Sequence, residues 1–210
     1  MLGPGLLFVV SGPSGAGKDT LVERLLRRVP RMRYSVSATT REPRPGEVEG
    51  EHYFFWPLAE FETKRDRAEF LEWREYHGNL YGTPKRFVER TLSDGYDLVM
   101  KPEVNGALAI KREFPQAILV FLLPDKFSYL QQRLAARRTE SPDEIAARLA
   151  IAHEELTFIR SFDYLVINEE ASLDGPHDLP AVDDLEAILR AERLRIHHYD
   201  DNSIRDLEQS

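Results

Sequence analysis

The sequence predicts an α/β fold, a parallel sheet flanked by helices, and three observations carry that expectation. Residues 6–10, 96–100, 117–122 and 163–167 are short, nearly continuous apolar runs, the pattern of strands covered on both faces. Longer stretches with helical spacing alternate with them. The first run leads through Gly12-Pro13-Ser14-Gly15-Ala16-Gly17-Lys18 straight into Thr20-Leu21-Val22-Glu23-Arg24-Leu25-Leu26, so a glycine loop joins a buried strand to a helix. Strands that alternate with helices imply a parallel sheet with this loop at its carboxyl edge.

Taken in order, the loop is a phosphate cradle. Its glycines let successive backbone amides turn toward one anion, the helix N-terminus adds partial positive charge, and Lys18 reaches the outer phosphates. Residues Gly12, Pro13, Ser14, Gly15, Ala16, Gly17, Lys18, Asp19 and Thr20 are therefore expected to hold a nucleoside triphosphate. Asp19 stands where a Ser or Thr usually supplies a hydroxyl to magnesium. A carboxylate is a good hard ligand, so Asp19 binds the ion directly, binds it through water, or turns away. Thr20 is a poor substitute, because one residue further round a helix points about 100° away. The first helix ends near Val29-Pro30. From Ser35 the chain starts as a strand and becomes a Pro/Gly loop to Gly50; His52 to Trp56 reads as a strand, and Leu58 to Arg67 as a helix. Ser128 to Arg138 and Pro142 to Ile159 read as long charged helices placed to close over a nucleotide. The stretch from Glu169 to Asp184 reads as a surface loop. Asp183 to Arg195, with Leu185, Ile188, Leu189 and Leu194, reads as a last helix packed on the sheet.

Composition narrows the class. The 210 residues, 42% hydrophobic, suffice for one domain with a sizeable core. There is no cysteine, which excludes disulfides and thiolate metal sites, and the six histidines show no ligand spacing. A formal charge of -8 and a pI near 5.3 argue against a nucleic-acid partner. The N-terminal apolar run is too short for a signal or a membrane span, so the cytoplasm is the expected compartment.

The substrate is written in the middle of the chain. Ser35-Val36-Ser37-Ala38-Thr39-Thr40-Arg41-Glu42-Pro43-Arg44-Pro45-Gly46-Glu47-Val48-Glu49-Gly50 with Tyr53, then Phe70-Leu71-Glu72-Trp73, then Tyr81-Gly82-Thr83, follow the glycine loop in that order. Here the chain resembles guanylate kinases, over residues 6–195. The resemblance implies a P-loop NTPase-type core (residues 6–33, 96–123 and 157–195), a GMP-binding insert (34–95), a helical lid (124–156) and a polar tail (196–210). It implies transfer of the γ-phosphoryl group of ATP to GMP, and to dGMP, with Mg2+. Oligomeric state is left open.

Each matching residue has a physical task. Arg41 and Arg44, three apart in a Pro-flanked loop, can present planar forks to one phosphate, with hydroxyl donors from Tyr53 and Tyr81. Glu72, with Ser37 and Thr83, suits guanine, whose N1 proton and exocyclic amine both donate. Adenine leaves such a site unpaired, a mismatch that can discriminate by about 10⁴. No general base is required, because the acceptor phosphate is already ionised. The family resemblance adds arginines on the two charged helices, Arg133, Arg137 and Arg148, with Arg137 and Arg148 favoured as phosphate clamps. A transition-state arginine contributes about 10³ to 10⁵ in rate. Asn168 matches the strand end near the adenine of ATP. The family's two acids after the central strand are here Lys101-Pro102-Glu103, so Glu103 alone is left to orient magnesium through water or to bond the nucleotide. Asp19 and Lys101 are expected to offset each other, even as an ion pair. Two alternatives belong to other classes: a non-catalytic interaction module, and a kinase for a phosphorylated sugar, for which Glu72 and the Arg41/Arg44 loop are superfluous.

Overall fold

In the computed structural model, which describes residues 4–126, 130, 142–169 and 180–195, strand β1 (Leu7–Ser11) is the middle of a five-stranded sheet. β7 (Asp97–Met100) and β8 (Ile118–Pro124) flank it, and β2 (Met32–Tyr34) and β9 (Tyr164–Asn168) form the edges, all parallel. Alternate residues of β1 face opposite sides, which is why the run is apolar throughout. Phe8 and Val10 pack on helix α1 (Lys18–Arg28), through Leu21, Val22 and Leu25, and on the final helix α6 (Pro180–Arg193), through Val182, Leu185 and Leu189. Leu7 and Val9 pack the other way, against Val88 and Leu92 of α3 (Lys85–Ser93) and Ala107 and Ile110 of α4 (Val104–Glu113). A side chain buried as fully as Phe8 contributes about 1.5–3 kcal/mol.

A second, four-stranded sheet runs in the order β4 (Tyr53–Phe55), β3 (Ser37–Thr39), β6 (Asn79–Pro84), β5 (Phe70–Tyr76). β5 and β6 form an antiparallel hairpin through His77 and Gly78, at φ 48° and 73°, as a two-residue turn of matched twist requires. Helix α2 (Leu58–Asp66) closes this unit with Phe61 stacked on Phe70, ring centroids 4.4 Å apart. Only Ser35 and Val36 join β2 of the large sheet to β3 of the small one. Helix α5 (Pro142–Leu156) lies between β8 and β9 in sequence.

The strands read from sequence are present with shifted ends, and β2, β5, β6, α3 and α4 are additions. The strands of the small sheet lie within 37–84, and helix α3, which follows them, packs on β1 and β7 and meets Phe54 of the small sheet through Phe87. The last helix begins at Pro180, inside the stretch read as a loop. The helix expected over 128–138 lies outside the described residues except for Leu130, which is buried. The tail at 196–210 also lies outside them.

At the amino end of the large sheet, buried Asp97 accepts a hydrogen bond from the Leu6 N–H (2.9 Å) and pairs with Arg193 of α6. Catalytic machinery belongs at the opposite, carboxyl end.

Candidate functional site

The loop after β1 is shaped by close backbone approach. Gly12 sits at φ 138°, and a Cβ there would lie 2.2 Å from the Leu122 carbonyl oxygen, so only glycine passes under β8. Gly17 caps α1 from a left-handed conformation with no side-chain cap, leaving the first amides of the helix for an anion. The Lys18 Nζ folds back over the loop and donates to the carbonyls of Gly12 and Pro13, at 2.5 and 3.1 Å. Burial pushes the Lys18 ammonium pKa down, while the charges of Glu155, Asp19 and Glu103 push it back up. Ser14 and Thr20 are exposed. Asn168 is buried at the end of β9 and its Nδ2 donates to the Ala16 carbonyl at 2.8 Å. It braces the loop from behind.

Asp19 is ion-paired with Lys101, which follows β7, so the two departures from the expected pattern meet across the mouth of the site. The Ser11 Oγ donates to the Pro102 carbonyl at 2.8 Å and fixes the segment that carries Lys101 to the end of β1.

Beyond this seam, a cavity of about 690 Å³ lies between the two sheets, lined among others by Ser37, Tyr53, Glu72, Tyr81, Thr83 and Glu103. Five of them were expected from sequence to face the acceptor nucleotide, and Glu103 to orient magnesium through water or to bond the nucleotide. Glu72 on β5 accepts a hydrogen bond from the Thr83 Oγ1 on β6 at 2.7 Å, and a Cβ on Gly106 of α4 would lie 3.7 Å from its other oxygen. Burial pushes the Glu72 carboxyl above the ordinary range; Thr83 and Arg74 oppose the shift and Glu103 adds to it. Glu103 is paired with Arg74. Tyr53 and Tyr81 meet edge to face, centroids 6.0 Å apart, and the Arg41 guanidinium lies 5.6 Å from the Tyr53 ring, with Tyr81 in electrostatic reach.

Arg41 and Arg44 do not converge as paired forks. The Arg41 Nη2 is held by both Glu47 oxygens at 2.8 and 3.0 Å, and Arg44 is exposed, its backbone N–H bonding Glu47 at 2.7 Å. Arg148 is half-buried on α5. Arg133 and Arg137, and with them much of the segment read as a lid, lie outside the described residues. Sequence reasoning passed over Tyr34, Arg74 and Glu155. The last carries a carboxylate from α5 into the electrostatic neighbourhood of Lys18. Only tertiary folding brings it there, and its helical spacing gave no sign. Among the described residues no three metal-ligating side chains cluster, and no helix is long and apolar enough to cross a membrane.

The family model "Guanylate kinase" matches residues 5–189, a span that includes both the glycine cradle and the cavity. The chain belongs to the guanylate kinase family. Proteins named guanylate kinase from Desulfitobacterium hafniense and Aromatoleum aromaticum are 47% and 44% identical to it over 192 residues, 91% of this chain and 92% and 91% of theirs. One from Caldanaerobacter subterraneus is 40% identical over 206 residues, 98% of this chain and 97% of its own. The crystal structure of guanylate kinase from Anaplasma phagocytophilum superposes with a TM-score of 0.66 at 27% identity, covering 92% of this chain and 89% of that one. The parallel sheet with its loop is thus a P-loop NTPase fold.

Proposed function

We propose that this protein transfers the γ-phosphoryl group of ATP to GMP, giving ADP and GDP, and to dGMP, giving ADP and dGDP. The observation that carries the reading is Glu72, a carboxylate poised by Thr83 inside the cavity, one oxygen facing the backbone of Gly106. Ionised, it accepts from both guanine donors, and Thr83 and Ser37 complete the edge. The Tyr53 and Tyr81 hydroxyls, with Arg41, hold the acceptor phosphate. Across the seam the amides of 12–18 and Lys18 hold the ATP phosphates. No proton needs to be abstracted, so charge and alignment carry the catalysis. Arg148, on α5, belongs to the ATP side. In this reading the small sheet is the acceptor-binding region.

The donor set fits magnesium sparingly. Asp19 is largely exposed beside Lys18, and one or two carboxylates suffice when phosphate oxygens and water supply the remaining ligands. Asp19 would hold the ion, with Glu103 acting through water; bound, it neutralises phosphate charge.

Measuring ADP release from ATP with GMP, dGMP, AMP or ribose bisphosphate offered in parallel tests the assignment. Turnover is expected with the two guanine nucleotides alone. Equal turnover with AMP removes Glu72 from base recognition, and silence with all four favours a binding module.

A further inference from the structure

We propose that Lys101 is a catalytic cation for the acceptor phosphate, held at rest by Asp19 and released from it when the nucleotide arrives. The proposal rests on the guanylate kinase reading above and deepens it. Three observations carry it. First, the position is fixed by the backbone: Lys101 precedes a proline, which restricts it to extended conformations, and the next carbonyl is tied to Ser11 at the base of the phosphate loop. Secondly, the ammonium stands at the seam between the two halves of the site. It pairs with Asp19 of the donor loop and lies 5.7 Å from the ring of Tyr34, which lines the cavity, with Tyr53 in electrostatic reach. Thirdly, the pair is asymmetric. The Lys101 side chain is 32% exposed and lines the cavity, whereas that of Asp19 is 79% exposed and does not line it.

A solvated carboxylate holds a lysine weakly, while a phosphate entering the cavity offers two charges and three acceptor oxygens. Lys101 therefore exchanges partners at little cost. The neighbouring cations are differently placed: Arg41 is doubly bonded to Glu47 and Arg74 is held by Glu103. Release also returns the Asp19 carboxylate to the donor loop, where it would hold magnesium.

Titration calorimetry of the full chain with GMP and with guanosine, without ATP or Mg2+, separates this from a structural role. Lys101→Met is expected to weaken GMP about tenfold or more and to leave guanosine unchanged. Asp19→Asn, which frees the lysine, is expected to tighten GMP, and to do nothing in the Lys101→Met background. The inference is overturned if Lys101→Met binds GMP within twofold of the wild type, if guanosine weakens in parallel, or if Asp19→Asn acts alike with and without Lys101. A wild-type protein that releases no ADP with GMP defeats the functional reading itself. Wild-type turnover with an indifferent Lys101→Met defeats this inference alone.

Discussion

At the scale of single residues, Glu72 shows how burial and function pull in opposite directions. Its carboxyl pKa is raised by burial, so ionised Glu72 costs stability at neutral pH. A raised folded pKa means that the favourable contribution is present in acid and is lost as pH rises through that value. Glu72→Gln is therefore expected to melt at or above the wild-type temperature at pH 7, the difference closing as pH falls. Guanosine binding, which needs the anion, has the reverse sign. Wild-type affinity for guanosine is expected to fall as pH drops, with onset above the ordinary 4.5, and Glu72→Gln to bind about 10- to 100-fold more weakly at pH 7. Guanosine is the right probe because it lacks a titrating phosphate; affinity that is flat down to pH 4.5 excludes the carboxylate. Glu72 was legible in the sequence because it sits in a motif whose order leaves few alternatives. The Asp19–Lys101 contact, across 82 positions, was expected because both residues depart, with opposite sign, from the pattern of the family the chain resembles, and the structure makes it. The Arg41–Glu47 bond was not, although both lie in one loop: a spacing of six between opposite charges carries no geometric meaning outside regular structure.

At the scale of elements, the β5–β6 hairpin carries Glu72 and Thr83 on neighbouring strands, and its register sets the distance between them. Gly82 is the tight point: a Cβ there would lie 2.7 Å from Cδ1 of Phe70 and 3.1 Å from the Glu72 carbonyl oxygen. Phe70 cannot yield, being buried and stacked on Phe61. Gly82→Ala must then push β5 away, costing about 1–3 kcal/mol of stability and raising KM for GMP while KM for ATP stays unchanged. A kinetic comparison of the two substrates checks this, and equal effects on both would show that the strain spreads beyond the hairpin. The long buried strands and helix α1 were readable from sequence because each carries a period or a run that only one element satisfies. β2 was not: its three residues, two of them exposed, lie at a sheet edge and leave no pattern. α3 was overlooked although Val88, Thr91 and Leu92 mark one face, because its neighbours drew it into a stretch assigned to the acceptor side.

For the molecule as a whole, stability and chemistry occupy opposite ends of one sheet. Asp97 is fully buried at the amino end, and Arg193 supplies its countercharge from α6. Arg193→Met strands that anion and is expected to cost about 3–5 kcal/mol, which for this length lowers Tm by roughly 6–20 °C. Turnover measured well below the new melting point is expected to stay at the wild-type level; a fall there would show that the two ends are coupled. The parallel core was visible in the sequence because its strands are continuous apolar runs, whereas a separate insert was expected only from the family resemblance, because a two-residue joint at Ser35 and Val36 looks like any other extended stretch. The bond between Asp19 and Lys101 has a consequence of another kind. Two positions 82 residues apart share one electrostatic duty, and altering either alone changes the charge where the nucleotides meet, in opposite directions. The effect of replacing one residue therefore depends on which residue stands at the other.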